Sequence, residues 1–271
     1  SAGPEQVRDL LKGVGTLNLK VTRDLTGLDL KAFSVQTAAL AANANGRLQS
    51  SDSDLTFDAK LTDIATLVEG FNGPVTLKGT AKQNGQPWAI DASATGPVGT
   101  QMKVSGTIKA DESMGDLKIT GDFPLGLANK FLPSDILING KGLIDLALVG
   151  PLELDSVTGG ISTNDASVSL PTINLSLPKL TASARLDGNS AQIEAKADVS
   201  RGGTITANGS IGLDAPFNGA IKVAIRNMKH AIPPTVTTKL AGDLTINGPL
   251  ANGPLGTRET DLRETELRSI A

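Results

Sequence analysis

The chain has 271 residues, 39% of them hydrophobic, which is enough to bury a sizeable core. Lys plus Arg number 25 against 28 Asp plus Glu, a net of -3 with the signs interspersed, so there is no basic footprint for nucleic acid. With no Cys, no Tyr, one His, one Trp and six Phe, disulfides, thiolate catalysis and Cys-based metal sites are excluded, and the apolar mass is almost wholly Leu, Ile, Val and Ala.

Period-two alternation runs through the chain, the signature of strands with one apolar and one wetted face. Leu17, Leu19 and Val21 alternate with Thr16, Asn18 and Lys20; Leu55, Phe57, Ala59 and Leu61 alternate with Thr56, Asp58 and Lys60. The pattern continues through Val75 and Leu77, Ile90 within 88–94, Val104 and Ile108 within 102–108, and Leu117 with Ile119. Leu146 and Leu148 follow within 144–148, Ile173 and Leu175 within 173–177, then 180–186 and Ile193 within 193–199. Ile205 and Ile211 lie within 205–213; Ile221, Val223 and Ile225 form the next strand, and Leu244 and Ile246 close the series within 240–246. Leu146, Ile193, Ile205 and Val223 are expected on the apolar side, and Asp145, Glu194 and Lys222 toward water.

Turn chemistry separates these runs at Asn84-Gly85, Asp187-Gly188-Asn189, Arg201-Gly202-Gly203 and Asn218-Gly219. Gly159-Gly160 reads as a turn too. Such short connections favour antiparallel hairpins over a parallel coil. Two segments depart from alternation: residues 61–70 read as a short helix with Asp63 as its cap and Gly70 as its stop, and residues 124–133, an apolar cluster bracketed by prolines, are a second candidate for a short helix.

The inventory for chemistry is thin. His230 stands in a loop-like composition with no identifiable partner, and no Gly-x-Ser-x-Gly elbow occurs. Asp52, Asp54 and Asp58 lack the central glycine and terminal Glu of a calcium loop and read as a solvated strand. No enzymatic centre, metal or cofactor is expected. What remains is an aliphatic face spread over some eighteen expected strands, roughly 85 Å of sheet at ~4.8 Å per strand. That exceeds a ~100-residue sandwich, and it is lined by aliphatic side chains instead of being filled by rings, which suits a groove for alkyl chains.

Gly-Pro-Leu recurs at Gly150-Pro151-Leu152 and Gly248-Pro249-Leu250, with a relative at Gly96-Pro97-Val98. Together with Leu125-Gly126-Leu127-Ala128-Asn129-Lys130-Phe131-Leu132-Pro133, residues 140–148, residues 240–254, and the 63–70 segment followed by Gly73 and Val75, these phrases resemble the recurring unit of the TamB family of the AsmA-like superfamily, the translocation and assembly module proteins. The resemblance runs from about Gly13 to Leu267 and covers a fragment of such a protein. It implies an all-β, elongated, mainly antiparallel, taco-shaped open β-sheet groove with one or two short helices. It further implies phospholipid carried across the periplasm, a full-length protein anchored in the inner membrane and reaching the outer membrane, and a TamA-like, Omp85-type barrel as partner. The organisation expected is a linker start at 1–12, a β-groove segment at 13–254 and a charged end at 255–271. The alternative to lipid carriage is a chaperone or scaffold that adds its strand edges to outer-membrane clients. Isolated, the fragment is expected to expose apolar surface and self-associate.

Overall fold

The structure is a computed structural model. It describes residues 10–25, 27–49, 52–66, 71–85, 87–109, 111, 113–130, 132–214, 217–232 and 236–249. Among the described residues, sixteen strands make one open sheet. They are β1 (Thr16–Arg23), β2 (Leu28–Gln36), β3 (Leu40–Leu48), β4 (Asp52–Leu61), β5 (Val75–Asn84), β6 (Trp88–Thr95), β7 (Gln101–Ile108) and β8 (Met114–Pro124), followed by β9 (Leu137–Asn139), β10 (Lys141–Pro151), β11 (Val157–Leu170), β12 (Leu175–Asp187), β13 (Ser190–Asp198), β14 (Thr204–Gly212), β15 (Asn218–Ile232) and β16 (Val236–Pro249). Spatial order follows chain order from β1 to β16, except that the short β9 pairs with β11 and lies off the path. Successive strands from β1 to β8 and from β11 to β16 pair antiparallel. The all-β, antiparallel, open sheet is what the alternation and the short turns dictate.

Two compact units emerge. One comprises the residues to Phe123 with Ala147–Ser156; the other comprises Pro124–Leu146 with the residues from Val157 on. The expected linker start at 1–12 is described only from Leu10, and the expected charged end at 255–271 lies outside the described residues.

The helices expected at 61–70 and 124–133 are shorter and tighter. A 3-10 turn at Ile64–Thr66 follows Asp63, whose Oδ1 accepts hydrogen bonds from the Ala65 N–H at 3.0 Å and the Gly73 N–H at 2.9 Å. By tying both ends of the excursion to one carboxylate, Asp63 acts as the expected cap; residues 67–70 lie outside the described part. Leu125–Lys130 is likewise 3-10, and the Asn129 side chain bonds both the N–H and the C=O of Ile138, at 2.7 and 2.9 Å, which fastens the segment to β9.

Other readings also change. Gly159-Gly160 is no turn but the interior of β11, where Gly159 has φ +99° and a Cβ would lie 2.3 Å from the Asp145 carbonyl oxygen; the glycine serves close strand approach. Asn218-Gly219 opens β15, and Phe217 just before it has a positive φ. His230 lies within β15, opposite Thr238, and not in a loop. Residues 175–177 and 180–186, which the alternation divides into two runs, belong to one strand, β12.

Candidate functional site

Cross-strand register turns the alternation into rows. In the first unit, Val21, Leu30, Gly46, Leu55, Ala81, Ile90, Gly106 and Leu117 stand opposite one another strand by strand. Beside them runs the row Leu19, Phe33, Ala44, Phe57, Gly79, Ala92, Val104 and Ile119, and then Leu17, Val35, Ala42, Ala59, Leu77, Ala94, Met102 and Gly121. No polar side chain interrupts these three rows from β1 to β8. At ~4.8 Å per strand they run roughly 34 Å along the sheet.

The fourth row ends differently. Ser53 and Gln83 are both buried there, with Ser53 Oγ bonded to the backbone N–H and C=O of Gln49. Next in that row come Trp88, Ile108 and Gly115. Leu152 folds back over this end, its Cδ2 lying 2.9 Å from where a Cβ on Gly115 would be, with Leu148 Cδ2 at 3.3 Å. The result is an apolar cavity of about 380 Å³ lined by Leu55, Ala81, Trp88, Ile90, Ile108, Leu152 and a single charged residue, Lys109. Leu55 on β4 and Leu152 beyond β10 can border one cavity only because the apolar face is concave there.

Lys109 is exposed, and its Nζ stands 3.1 Å from Met114 Sδ, a weak acceptor. Asp111 carries charge close by; its carboxyl is held below the ordinary carboxylate range, chiefly by the Ser113 hydroxyl at 2.6 Å, then by the Ser113 N–H, with Lys109 as a smaller contributor.

The second unit repeats the rows. Ile161, Ala184, Ile193, Gly209, Ile221 and Ile246 form one, and Ala166, Leu180, Ala197, Ile205, Ile225 and Gly242 another. Between them lies the row Thr163, Ala182, Ala195, Ala207, Val223 and Leu244, and Ile211 stands beyond Ile193 in the row of Leu186 and Ala191. Thr163 is 6% exposed, and its hydroxyl has no hydrogen-bond partner. The opposite face is polar: Ser162, Thr181, Gln192, Glu194, Lys196, Thr206 and Asn208 line an open hollow of about 760 Å³.

Almost nothing on the apolar side is sealed. Among the described residues no large side chain is fully buried, and the buried apolar ones are Leu61, Val199 and four alanines. Asp145, Glu194 and Lys222 are exposed, as expected, while Leu146, Ile193, Ile205 and Val223 are half-buried.

All the residues assigned from the sequence to the apolar lining sit on this face except Ile173. That residue lies in the 3-10 turn Pro171–Ile173 between β11 and β12 and is 66% exposed, because the proline and the left-handed Asn174 end the strand before it. Leu175, just past the turn, pairs with Leu170 and joins the face. Trp88, Ala81, Leu152 and Lys109 escaped that assignment; the recurrence of Gly-Pro-Leu was the one signal pointing at Leu152. No family model, curated protein or solved structure matches this chain.

Proposed function

We propose that the chain is a non-catalytic carrier whose apolar face holds the acyl chains of phospholipid. The observation that carries this reading is the concave cavity at Trp88, Ile90, Ile108 and Leu152, which adjoins the uninterrupted apolar rows of the first unit. A structural core would close over such rows, and here they stay half-exposed. At ~0.8 kcal/mol per methylene, a lipid with about 30 methylenes faces roughly 24 kcal/mol of exposure in water, and a trough of this composition removes much of that cost. Lys109 at the cavity offers its ammonium to a phosphate while the chains lie on the aliphatic rows.

The setting of the proposal rests on the resemblance alone. It puts the chain in the periplasm, within a protein anchored in the inner membrane and partnered with an Omp85-type barrel at the outer membrane.

The test compares two adjacent positions on opposite faces. A photocrosslinking residue replaces either Ile90, on the cavity wall, or the exposed Asp91. After incubation with phospholipid vesicles, mass spectrometry is expected to find lipid adducts at Ile90 and none at Asp91. Equal capture at the two, or capture at neither, overturns the reading.

A further inference from the structure

We infer that the cavity at Trp88 holds one alkyl chain at a time, with a single anionic head group at Lys109, and that the lipid it fits best is a long-chain fatty acid. The inference rests on the reading of the apolar face as a surface for acyl chains, and it narrows what this part of the face takes.

Volume sets the number of chains. An apolar protein cavity of about 150 Å³ accepts benzene, roughly 25 Å³ per carbon, so the 380 Å³ here accommodates about 15 carbons. That is one long acyl chain and about half of what both chains of a phospholipid need. A two-chain lipid therefore leaves only one of its chains here, the other lying on the rows outside.

The walls are fixed on both sides. Leu55, Ala81, Trp88, Ile90 and Ile108 line the cavity from the paired strands β4 to β7. Leu152 faces them from a turn: the Glu153 N–H donates to the Pro151 carbonyl at 2.8 Å, closing three residues with Leu152 at the apex, and the Pro151 ring restricts the approach. Gly115 provides the seat, since a Cβ there would meet Leu152 Cδ2 at 2.9 Å. In the related phrase Gly96-Pro97-Val98 the valine is 74% exposed, so the wall is particular to Leu152.

Charge sets the head group. Lys109 is the one charged residue on the lining, and it is exposed, so its ammonium stays in water while a chain is covered. Its Nζ stands against Met114 Sδ, a weak acceptor that a carboxylate outcompetes. The nearby Asp111 carboxylate is engaged by the Ser113 hydroxyl and N–H. A fatty acid brings a single charge, which one ammonium matches, whereas a phosphate monoester brings about 1.5 to 2.

Trp88 is the only tryptophan of the chain and lies on the cavity wall, so its fluorescence reports occupancy. Hexadecanoic acid brominated along its chain, titrated into the full chain below its micelle concentration, is expected to quench Trp88 saturably with one equivalent bound. Each covered methylene is worth about fourfold in affinity, so Ala81→Leu, which takes up part of the cavity, is expected to weaken binding by roughly tenfold. Ala89→Leu, the same change on the exposed opposite face of β6, should leave binding as it was. Lys109→Gln should weaken the acid by about twofold to fivefold and the alcohol of the same length not at all. Circular dichroism verifies folding, and Leu152→Phe fills the cavity from the other wall should Ala81→Leu unfold.

Two equivalents at saturation overturn the single-chain occupancy. Quenching that never saturates, or that both leucine variants reduce equally, overturns the cavity as the site, and equal losses of acid and alcohol at Lys109→Gln overturn the head-group assignment. No quenching while the Ile90 photocrosslinker still captures phospholipid overturns the inference and leaves the carrier reading standing; no quenching and no capture overturn both.

Discussion

Phe57 on β4 faces Gly79 on β5, and its ring edge lies 2.8 Å from the point a Cβ on Gly79 would occupy. The same point is 2.6 Å from the Asp91 carbonyl oxygen and 2.9 Å from the Ala92 Cα, so the backbone of β6 crowds it from the other side. The ring therefore lies in a space that any side chain at 79 would claim. Gly79→Ala is expected to lower stability by about 1–3 kcal/mol through overpacking, measured as a shift in the urea midpoint at unchanged slope. An unchanged midpoint would mean that the strands part freely there.

A charge on the apolar face separates a groove from a core. Ile205, opposite Ala197 and Ile225, is half-buried, as is Leu146. Leu146→Asp and Ile205→Asp are each expected to keep the β-sheet circular dichroism spectrum and to cost about 1–3 kcal/mol, because an open face hydrates the carboxylate. Lipid adducts at neighbouring photocrosslinkers should fall away at the same time. Loss of folded protein in both variants would mark the positions as ordinary core.

The buried hydroxyl of Thr163 has no hydrogen-bond partner, and its register neighbour is Ala182. Replacing it with an isosteric apolar group removes a desolvated polar atom without opening a cavity. Thr163→Val is expected to raise stability by about 1 kcal/mol in urea unfolding, and a decrease would show that the hydroxyl has a role on the face.

At the cavity, Lys109→Glu tests the headgroup. Exposed charge pairs are worth ~0.2–1 kcal/mol, so binding of an anionic phospholipid should weaken by about twofold to fivefold while a zwitterionic one of the same chains changes little. Vesicle flotation with the two lipids reads the difference, and equal losses would locate the effect in the fold.

The hairpin beyond β7 predicts a local pH response. The Ser113 hydroxyl first, and then the Ser113 N–H, hold the Asp111 carboxyl below the ordinary carboxylate range in the folded chain, so its contribution is present above that range and is lost as pH falls through the lowered folded value. In a carboxyl-resonance titration, Asp111 is expected to titrate below the ordinary carboxylate range and Ser113→Ala to move it back upward. No movement would show that the hydroxyl is not the main cause and leave the shift to the Ser113 N–H, which alanine retains, and to Lys109.

Where alternation is clean, strand and face were both legible. β4 through β7 read correctly because Leu, Phe, Ile and Val contrast sharply with Thr, Asp and Lys, and that contrast is local. β2, β3 and β11 were not legible. In β2 the register shifts between Leu30 and Phe33, and β11 shifts twice between Thr163 and Val168, so a period-two template loses phase midway. In β3 the apolar side is largely alanine and glycine between asparagines, too little contrast to stand out.

The sequence by itself therefore determined the all-β class, the antiparallel hairpins and which side of most strands is apolar, since these follow from residue alternation and turn chemistry within a few positions. Only the tertiary structure decided which bulges carry the face from strand to strand. It alone turned Ile173 out into a proline-led turn, folded Leu152 back over Gly115, and set Lys109 beside Trp88 and Ile108. Those outcomes depend on how far neighbouring strands curl and how closely their backbones approach, quantities set by pairings between residues distant in the chain.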